Sequence, residues 1–421
     1  MTRLFANQVI GARAPNFEEL YAKLTIASGV FFVVLELSYI VMAAPHFAGG
    51  IPLDNFNWPI GRDFLNTWMG GRSAFSGGPA AWFDLANYNM LLRQITGHPD
   101  FPNMYWSYPP HLILLIWPLG LLPYLPAYLV WCLGGLGLYL WAARSGGVTR
   151  PHMLFLAIAP GVAVNVFFGQ NGFLTAALLI GALVNLDRRP ILSGVLIGIL
   201  TIKPQFGLLL PVLLVLTGQW RTIAAAVLTA AALVAATSLW FGPDIWLDYV
   251  HKVSPQQHWL LTQGSGLLLP MVSSAFVNAR MIGLPLDVDW AVQAGVSAAA
   301  LAMVVWTFWR KRDPVLSLAL FVTATFLFSP WMLNYDMVVF GFVIARLRER
   351  ADNEATDQWL MLSVWALPVA MLLFGAARIP IAMVVLPAFA ARLLWRLWRG
   401  EAEVAAHAGA PGGPVASLAL P

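Results

Sequence analysis

Charge is what this sequence has least of. Of 421 residues only 10% are Asp, Glu, Lys or Arg, against about a quarter in an ordinary soluble domain. Hydrophobic residues make up 59%, and the mean hydropathy is +0.71. This balance excludes a secreted enzyme, a nucleic-acid binder and a soluble Rossmann-type protein. Cysteine is nearly absent: Cys132 stands alone in an apolar run, so no internal disulfide can form. The short motifs of soluble catalysis are missing as well, with no P-loop, dinucleotide fingerprint, His-Glu-x-x-His helix or nucleophile elbow. What the chain has instead is apolar length and tryptophan. At about 20 residues per spanning helix, twelve spans take about 240 residues, which leaves loops and a tail but no separate soluble domain. Nineteen Trp suit a chain with many membrane–water boundaries. The composition predicts an all-α polytopic membrane protein.

Apolar runs punctuated by Pro, Gly and charge place helices near 24–44, 109–122, 124–143, 152–168, 171–186, 191–202, 205–217, 221–242, 289–309, 315–329, 334–347, 358–375 and 379–398. The first run is too long for a signal-peptide core and reads as an uncleaved anchor after a polar segment, residues 1–23. A net charge of +4 and a pI near 9.3 reflect orientation bias. Arg3, Arg13, Lys23 and the clusters at 144–150, 187–189, 221, 310–312, 346–350 and 392–399 hold 17 of the 24 basic residues and mark the cytoplasmic side. Parity between Lys23 and Arg144 then demotes the run 109–122, which contains Pro118, to a re-entrant or interfacial helix. Twelve crossings remain in a single transmembrane domain over 24–398. Two long outer loops span about 45–123 and 243–288, and a disordered cytoplasmic tail follows over 399–421.

Ionisable groups at membrane depth cost several kcal/mol unless paired or wet, so the few present are informative. Lys203 sits in Thr201-Ile202-Lys203-Pro204-Gln205 between two short apolar runs that cannot each span a bilayer, and Pro204 supports a break in the helix. Two readings fit it: a snorkelling lysine capping a hairpin, or a cation that binds a phosphate entering from the lipid. Gly169-Gln170-Asn171-Gly172 repeats the architecture, either as a plain hairpin turn or as amides that hold a hydroxylated ligand. Ser329 to Asp336 makes a third tip on the same face, where Asp336 either caps the next helix or faces a ligand. The first outer segment holds Arg62-Asp63 and ends in Tyr105-Trp106-Ser107-Tyr108-Pro109-Pro110-His111, and its mixed aromatics suit short amphipathic helices. Asp63 is either a surface partner of Arg62 or, in a shielded pocket, a general base. Asp287-x-Asp289 matches a metal-holding pattern but also makes a good helix start, and we assign no metal site. His251, Lys252 and His258 lack metal-ligand spacing; one of them, His258, is a candidate substrate contact. Glu36 is an intramembrane acid with no evident partner.

The order of these features resembles glycosyltransferase family 87, of the GT-C class of polytopic transferases that use polyprenyl-phosphate-linked sugars. The landmarks are Gly61-Arg62-Asp63, Tyr108-Pro109-Pro110, Gly169-Gln170-Asn171, Lys203-Pro204-Gln205, Ser273 to Gly283, and Ser329-Pro330 with Tyr335-Asp336. Where the better-studied members of the family carry a His near the Ser-Pro pair, this chain has Asn334 and Tyr335. The resemblance implies an inverting transferase, of mannose or pentose type, acting at the outer face of a bacterial cytoplasmic membrane on a lipid or glycan acceptor. It implies Asp63 as catalytic base, with Lys203 and Arg62 at the donor phosphate. Tyr108, Gln170, Asn171, Gln205, His258, Tyr335 and Asp336 would bind substrate, and Trp68, Trp106 and Tyr108 either stack on sugar faces or anchor the chain at the membrane interface. Partners are the bilayer, the sugar-lipid and its acceptor, with no cofactor and no nucleic acid. Two other readings stay open: a lipid-linked glycan polymerase or ligase working through outer-loop arginines, and a flippase without chemistry.

Overall fold

The computed structural model describes residues 16–43, 47–48, 50–75, 80–310 and 312–408. Residues 1–15, Gly77-Gly78 and the end of the expected tail, 409–421, lie outside the described residues. The described chain is helical apart from one hairpin, Phe47–Ala48 antiparallel to Ile51–Pro52. Helices appear where the apolar runs placed them, with two differences. Helix Ala382–Ala408 continues past residue 398, through a stretch of Ala and Glu that are strong helix formers. Helix Phe64–Ser73, expected to lie amphipathically on the bilayer, is buried at every residue but Arg72. Its Gly71 lies so close to Gly120 that an added Cβ would sit 2.8 Å from the Gly120 nitrogen, and this approach sinks the helix into the body of the protein. The amphipathic element of that loop is Leu85–Thr96, capped by Asp84, which accepts from the amides of Ala86 and Asn87 at 3.0 and 3.1 Å.

Five helices are long and apolar enough to cross a membrane: Phe17–Met42, Tyr124–Ser145, Trp220–Phe241, Leu286–Phe308 and Ala355–Ala376. A sixth follows if Arg150–Ala157 and Pro160–Phe168 form one span bent by 44°. The bend falls where Pro160 removes a donor and drives Ala159 to an extended conformation. Length does not support the expected twelve crossings. Pro110–Leu121, Gly172–Asn185, Pro190–Leu200, Pro204–Leu216 and Pro314–Phe328 are all shorter apolar helices. Fourteen residues, as in Gly172–Asn185, rise only about 21 Å.

The short helices nevertheless separate two chemically distinct ends. At one end the basic clusters find acids. Arg348 pairs with Glu18 at 2.7 Å, Arg350 with Asp313 at 2.6 Å, and Arg392 with Asp357 at 2.8 Å, beside a capping box made by Glu354 and Asp357. Asp187, just past helix Gly172–Asn185, accepts from Gln219. The opposite ends of Gly172–Asn185, Pro190–Leu200 and Val339–Arg348 lie within three residues of Asn171, Lys203 and Asp336.

Candidate active site

Four turns that are far apart in the sequence meet at this second end. The turn Gly61-Arg62-Asp63 is hung from two tyrosines: Tyr39 Oη donates to the Pro59 carbonyl at 2.8 Å and Tyr124 Oη to that of Ile60 at 2.6 Å. Asp63 N then donates to the Phe168 carbonyl at 3.2 Å, which ties the first turn to the second. The contact depends on Gly169, whose φ is +60° and whose Cβ, if present, would sit 2.4 Å from Phe64 Cβ and 2.5 Å from the Gly61 carbonyl oxygen. Gly169→Ala is therefore expected to destabilise the protein by more than about 1 kcal/mol, read as a lowered midpoint of thermal unfolding in detergent. An unchanged midpoint would show that the two turns separate freely.

The neighbouring residue reaches back across this contact. Gln170 Nε2 donates to Asp63 Oδ2 at 2.5 Å, and its Oε1 accepts from Tyr108 Oη at 3.5 Å. Trp131 Nε1 donates to the Gly169 and Gln170 carbonyls at 3.1 and 3.2 Å and so pins the backbone of the turn. Asp63 heads helix Phe64–Ser73 without making a side-chain cap, so its carboxylate is not spent on the helix. Shielding from water pushes the Asp63 carboxyl up to about 6, against the opposing pull of the Gln170 amide and the Arg62 charge. Burial raises the Tyr108 phenol above its usual range, and the Asp63 and Asp336 carboxylates add to the rise.

Asn171 continues the chain of polar contacts. Its Oδ1 accepts from Lys203 Nζ at 3.0 Å, and the same ammonium donates to Asp336 Oδ1 at 2.5 Å. The Lys203 and Asp336 side chains are 4% and 0% exposed, so this is a fully buried ion pair. Lys203 Nζ also lies 4.4 Å from the centre of the Tyr335 ring. The snorkelling reading of Lys203 is thereby corrected, because the ammonium turns inward to a counterion. So is the reading of Asp336 as a cap: its carboxylate holds Lys203. The tip at 334–336 is fixed from two sides. Asn165 Nδ2 donates to the Tyr335 carbonyl at 2.6 Å, and Ser273 N donates to the Met332 carbonyl at 2.8 Å beside a bridge between Val272 and Leu333. Asn334 turns away and donates to the Pro368 carbonyl.

Other expected residues stand apart. Arg62, with φ +39°, pairs with Asp54 at 3.0 Å and packs over the Tyr39, Trp58 and Phe167 rings, so it is not the surface partner of Asp63. Trp106 is 1% and Trp68 5% exposed, with their indole nitrogens bonded to the carbonyls of Tyr108 and Leu122; both are packing residues rather than open stacking platforms. Gln205, at a short 3-10 turn, makes no hydrogen bond to the cluster. His258 is exposed and stacks on Trp290. Asp289 is buried at a helix start, and the described residues contain no group of three or more His, Cys, Asp or Glu that could hold a metal ion. Asp54, Asn165 and Trp131 were not singled out from the sequence. Asn165 alone had a signal, as a lone amide inside the apolar run Val162 to Phe168.

The family model for glycosyltransferase family 87 matches residues 106–330, more than half of the chain. The match contains Tyr108, Gln170, Asn171 and Lys203; Asp63 precedes it and Asp336 follows it. No curated protein and no solved structure matches the chain.

Proposed function

Because the chain belongs to glycosyltransferase family 87, we propose that it moves a mannose-type or pentose sugar from a polyprenyl phosphate to a hydroxyl of a lipid or glycan acceptor. The observation that carries this reading is the Asp63 carboxylate, shielded, free of any capping role and raised to about 6. Such a group is ionised at neutral pH yet basic enough to take a proton from a hydroxyl. In the proposed step the acceptor oxygen attacks the anomeric carbon and its proton passes to Asp63. The bond from that carbon to the phosphate oxygen breaks, its electron pair leaves on the phosphate, and the configuration inverts. The phosphate is a stable anion and needs no strong acid.

Lys203 is the candidate for holding that phosphate, on a narrower basis than a free cation would offer. An ammonium has three N–H donors. Two go to Asn171 and Asp336, and the third faces the Tyr335 ring, where a phosphate oxygen would replace the ring. Four of the five outer-loop arginines that a ligase would use are engaged elsewhere, Arg62 with Asp54, Arg72 over the Trp68 ring, Arg93 with Asn103, and Arg280 with the Leu261 and Gly264 carbonyls, while the fifth, Arg378, is exposed at the turn after helix Ala355–Ala376. This favours the transferase reading.

The deciding experiment gives the purified full-length protein a panel of labelled polyprenyl-phosphate sugars and nucleotide sugars with a membrane-lipid extract as acceptor. Transfer from a polyprenyl phosphate with inverted anomeric configuration is expected; transfer from nucleotide sugars alone, or with retention, overturns the proposal. We place the site on the outer face of a bacterial cytoplasmic membrane. A cysteine introduced at Phe56, 78% exposed beside Asp54, should react with an impermeant thiol reagent on intact cells, against a quiet background from buried Cys132. Labelling only after lysis reverses the orientation.

A further inference from the structure

We propose that Gln170 is the positioning residue of the transfer: it holds Oδ2 of Asp63, so that Oδ1 is the oxygen that receives the acceptor's proton. The inference rests on the reading of Asp63 as the base. Gln170 is buried and anchored at every polar atom. Its backbone N donates to the Asn165 carbonyl at 3.0 Å, its carbonyl accepts from Trp131, its Oε1 accepts from Tyr108 and its Nε2 donates to Asp63. The amide orientation is forced, since an ionised carboxylate only accepts and a flipped amide would set oxygen against oxygen. Asp63 Oδ1, by contrast, makes no hydrogen bond among the described residues. The two oxygens are therefore inequivalent before any substrate arrives, and Gln170 is the side chain that makes them so.

The same N–H favours the ionised form of Asp63, against the burial that raises it. The charge of Arg62, although its guanidinium is turned to Asp54, acts on Asp63 in the same direction. The remaining titratable neighbours are the phenols Tyr88, Tyr108, Tyr124 and Tyr335, from three helices and the segment before Pro109. An unperturbed phenol titrates near pH 10, outside the range of the assay. Since the base must be ionised, turnover rises with pH through the Asp63 value, and loss of the Gln170 donor moves that acid limb upward.

The test measures pH–rate profiles of the full-length protein in lipid nanodiscs, with polyprenyl-phosphate mannose or whichever panel sugar turns over as donor. Wild type should show an acid limb centred near pH 6. Gln170→Met, similar in volume but unable to donate, should lose about 10- to 100-fold in kcat, keep KM for the donor within about threefold and shift the limb up by about one pH unit. Gln170→Glu, which matches the native shape and keeps the test open if the Met variant does not fold, should shift the limb further, because two adjacent carboxyls share a proton. A limb that stays in place overturns the inference, as does a raised KM with unchanged kcat, which would make Gln170 a substrate contact. Asp63→Asn run in parallel separates the failures. If that variant turns over, the base reading fails; if it is inactive while the limb stays fixed, only the role of Gln170 fails.

Discussion

Asp63→Asn yields a folded protein whose sugar transfer falls by about 10²- to 10⁴-fold, the range over which a general base contributes. The substitution keeps shape and keeps an oxygen that accepts from Gln170, so the turn at 61–63 and its contact with Gly169 survive. It also removes a carboxylate that burial disfavours, so the thermal midpoint should hold or rise slightly. Donor binding should persist, because the phosphate is assigned to Lys203 on another turn. The measurement is turnover of labelled sugar beside donor binding in the same preparation. Retained turnover removes Asp63 from the chemistry. A protein that only flips sugar-lipids would keep its transport rate in this variant, so a transport assay in vesicles separates that alternative.

Lys203→Met has the largest expected effect on stability. It leaves Asp336, 0% exposed, without its counterion. Breaking a buried pair from one side costs about 3–5 kcal/mol, whereas replacing both partners by apolar groups is often neutral. The double variant Lys203→Met with Asp336→Leu should therefore recover most of the thermal midpoint lost by the single one. That recovery makes the role of the lysine measurable apart from folding. If its third N–H meets the donor phosphate, the refolded double variant still binds polyprenyl phosphate at least about tenfold more weakly, since a hydrogen bond to a charged group contributes about 1.5–3 kcal/mol. Wild-type affinity in the double variant would leave Lys203 a purely structural ion.

What could be read from the sequence follows from which physical signals are local. Helix positions are local: Pro, Gly and charge interrupt apolar runs, and the helices stand where those interruptions put them. The polar tips at 170–171, 203 and 335–336 were also legible, because a charge or amide between two apolar runs is conspicuous. Their mutual contacts were not. Nothing near Lys203 announces that Asp336 is its partner, or that Arg62 turns from adjacent Asp63 to Asp54 eight residues back. Adjacent residues point to different sides of a turn, and here the left-handed conformation of Arg62 sends its guanidinium over three aromatic rings. Burial of helix Phe64–Ser73 was hidden for a similar reason: its composition is mixed, and only the facing Gly120 explains how it packs. Counting runs gives twelve crossings where helix length supports five or six, since a short apolar helix ending at a buried tip looks the same in sequence as one side of a membrane hairpin.

The ion pair between Lys203 and Asp336 joins residues 133 positions apart. A ribosome adding about 5 to 20 residues per second needs about 7 to 27 s between them. For that interval the nascent chain holds a lysine whose counterion has not yet been made, beside apolar helices entering the bilayer. The tip at Lys203 must then wait in a hydrated setting, near the headgroups or inside the insertion machinery, until Asp336 emerges. Completion of the site thus depends on the order of synthesis, and a chain that ends before residue 336 leaves the waiting cation permanently without its partner.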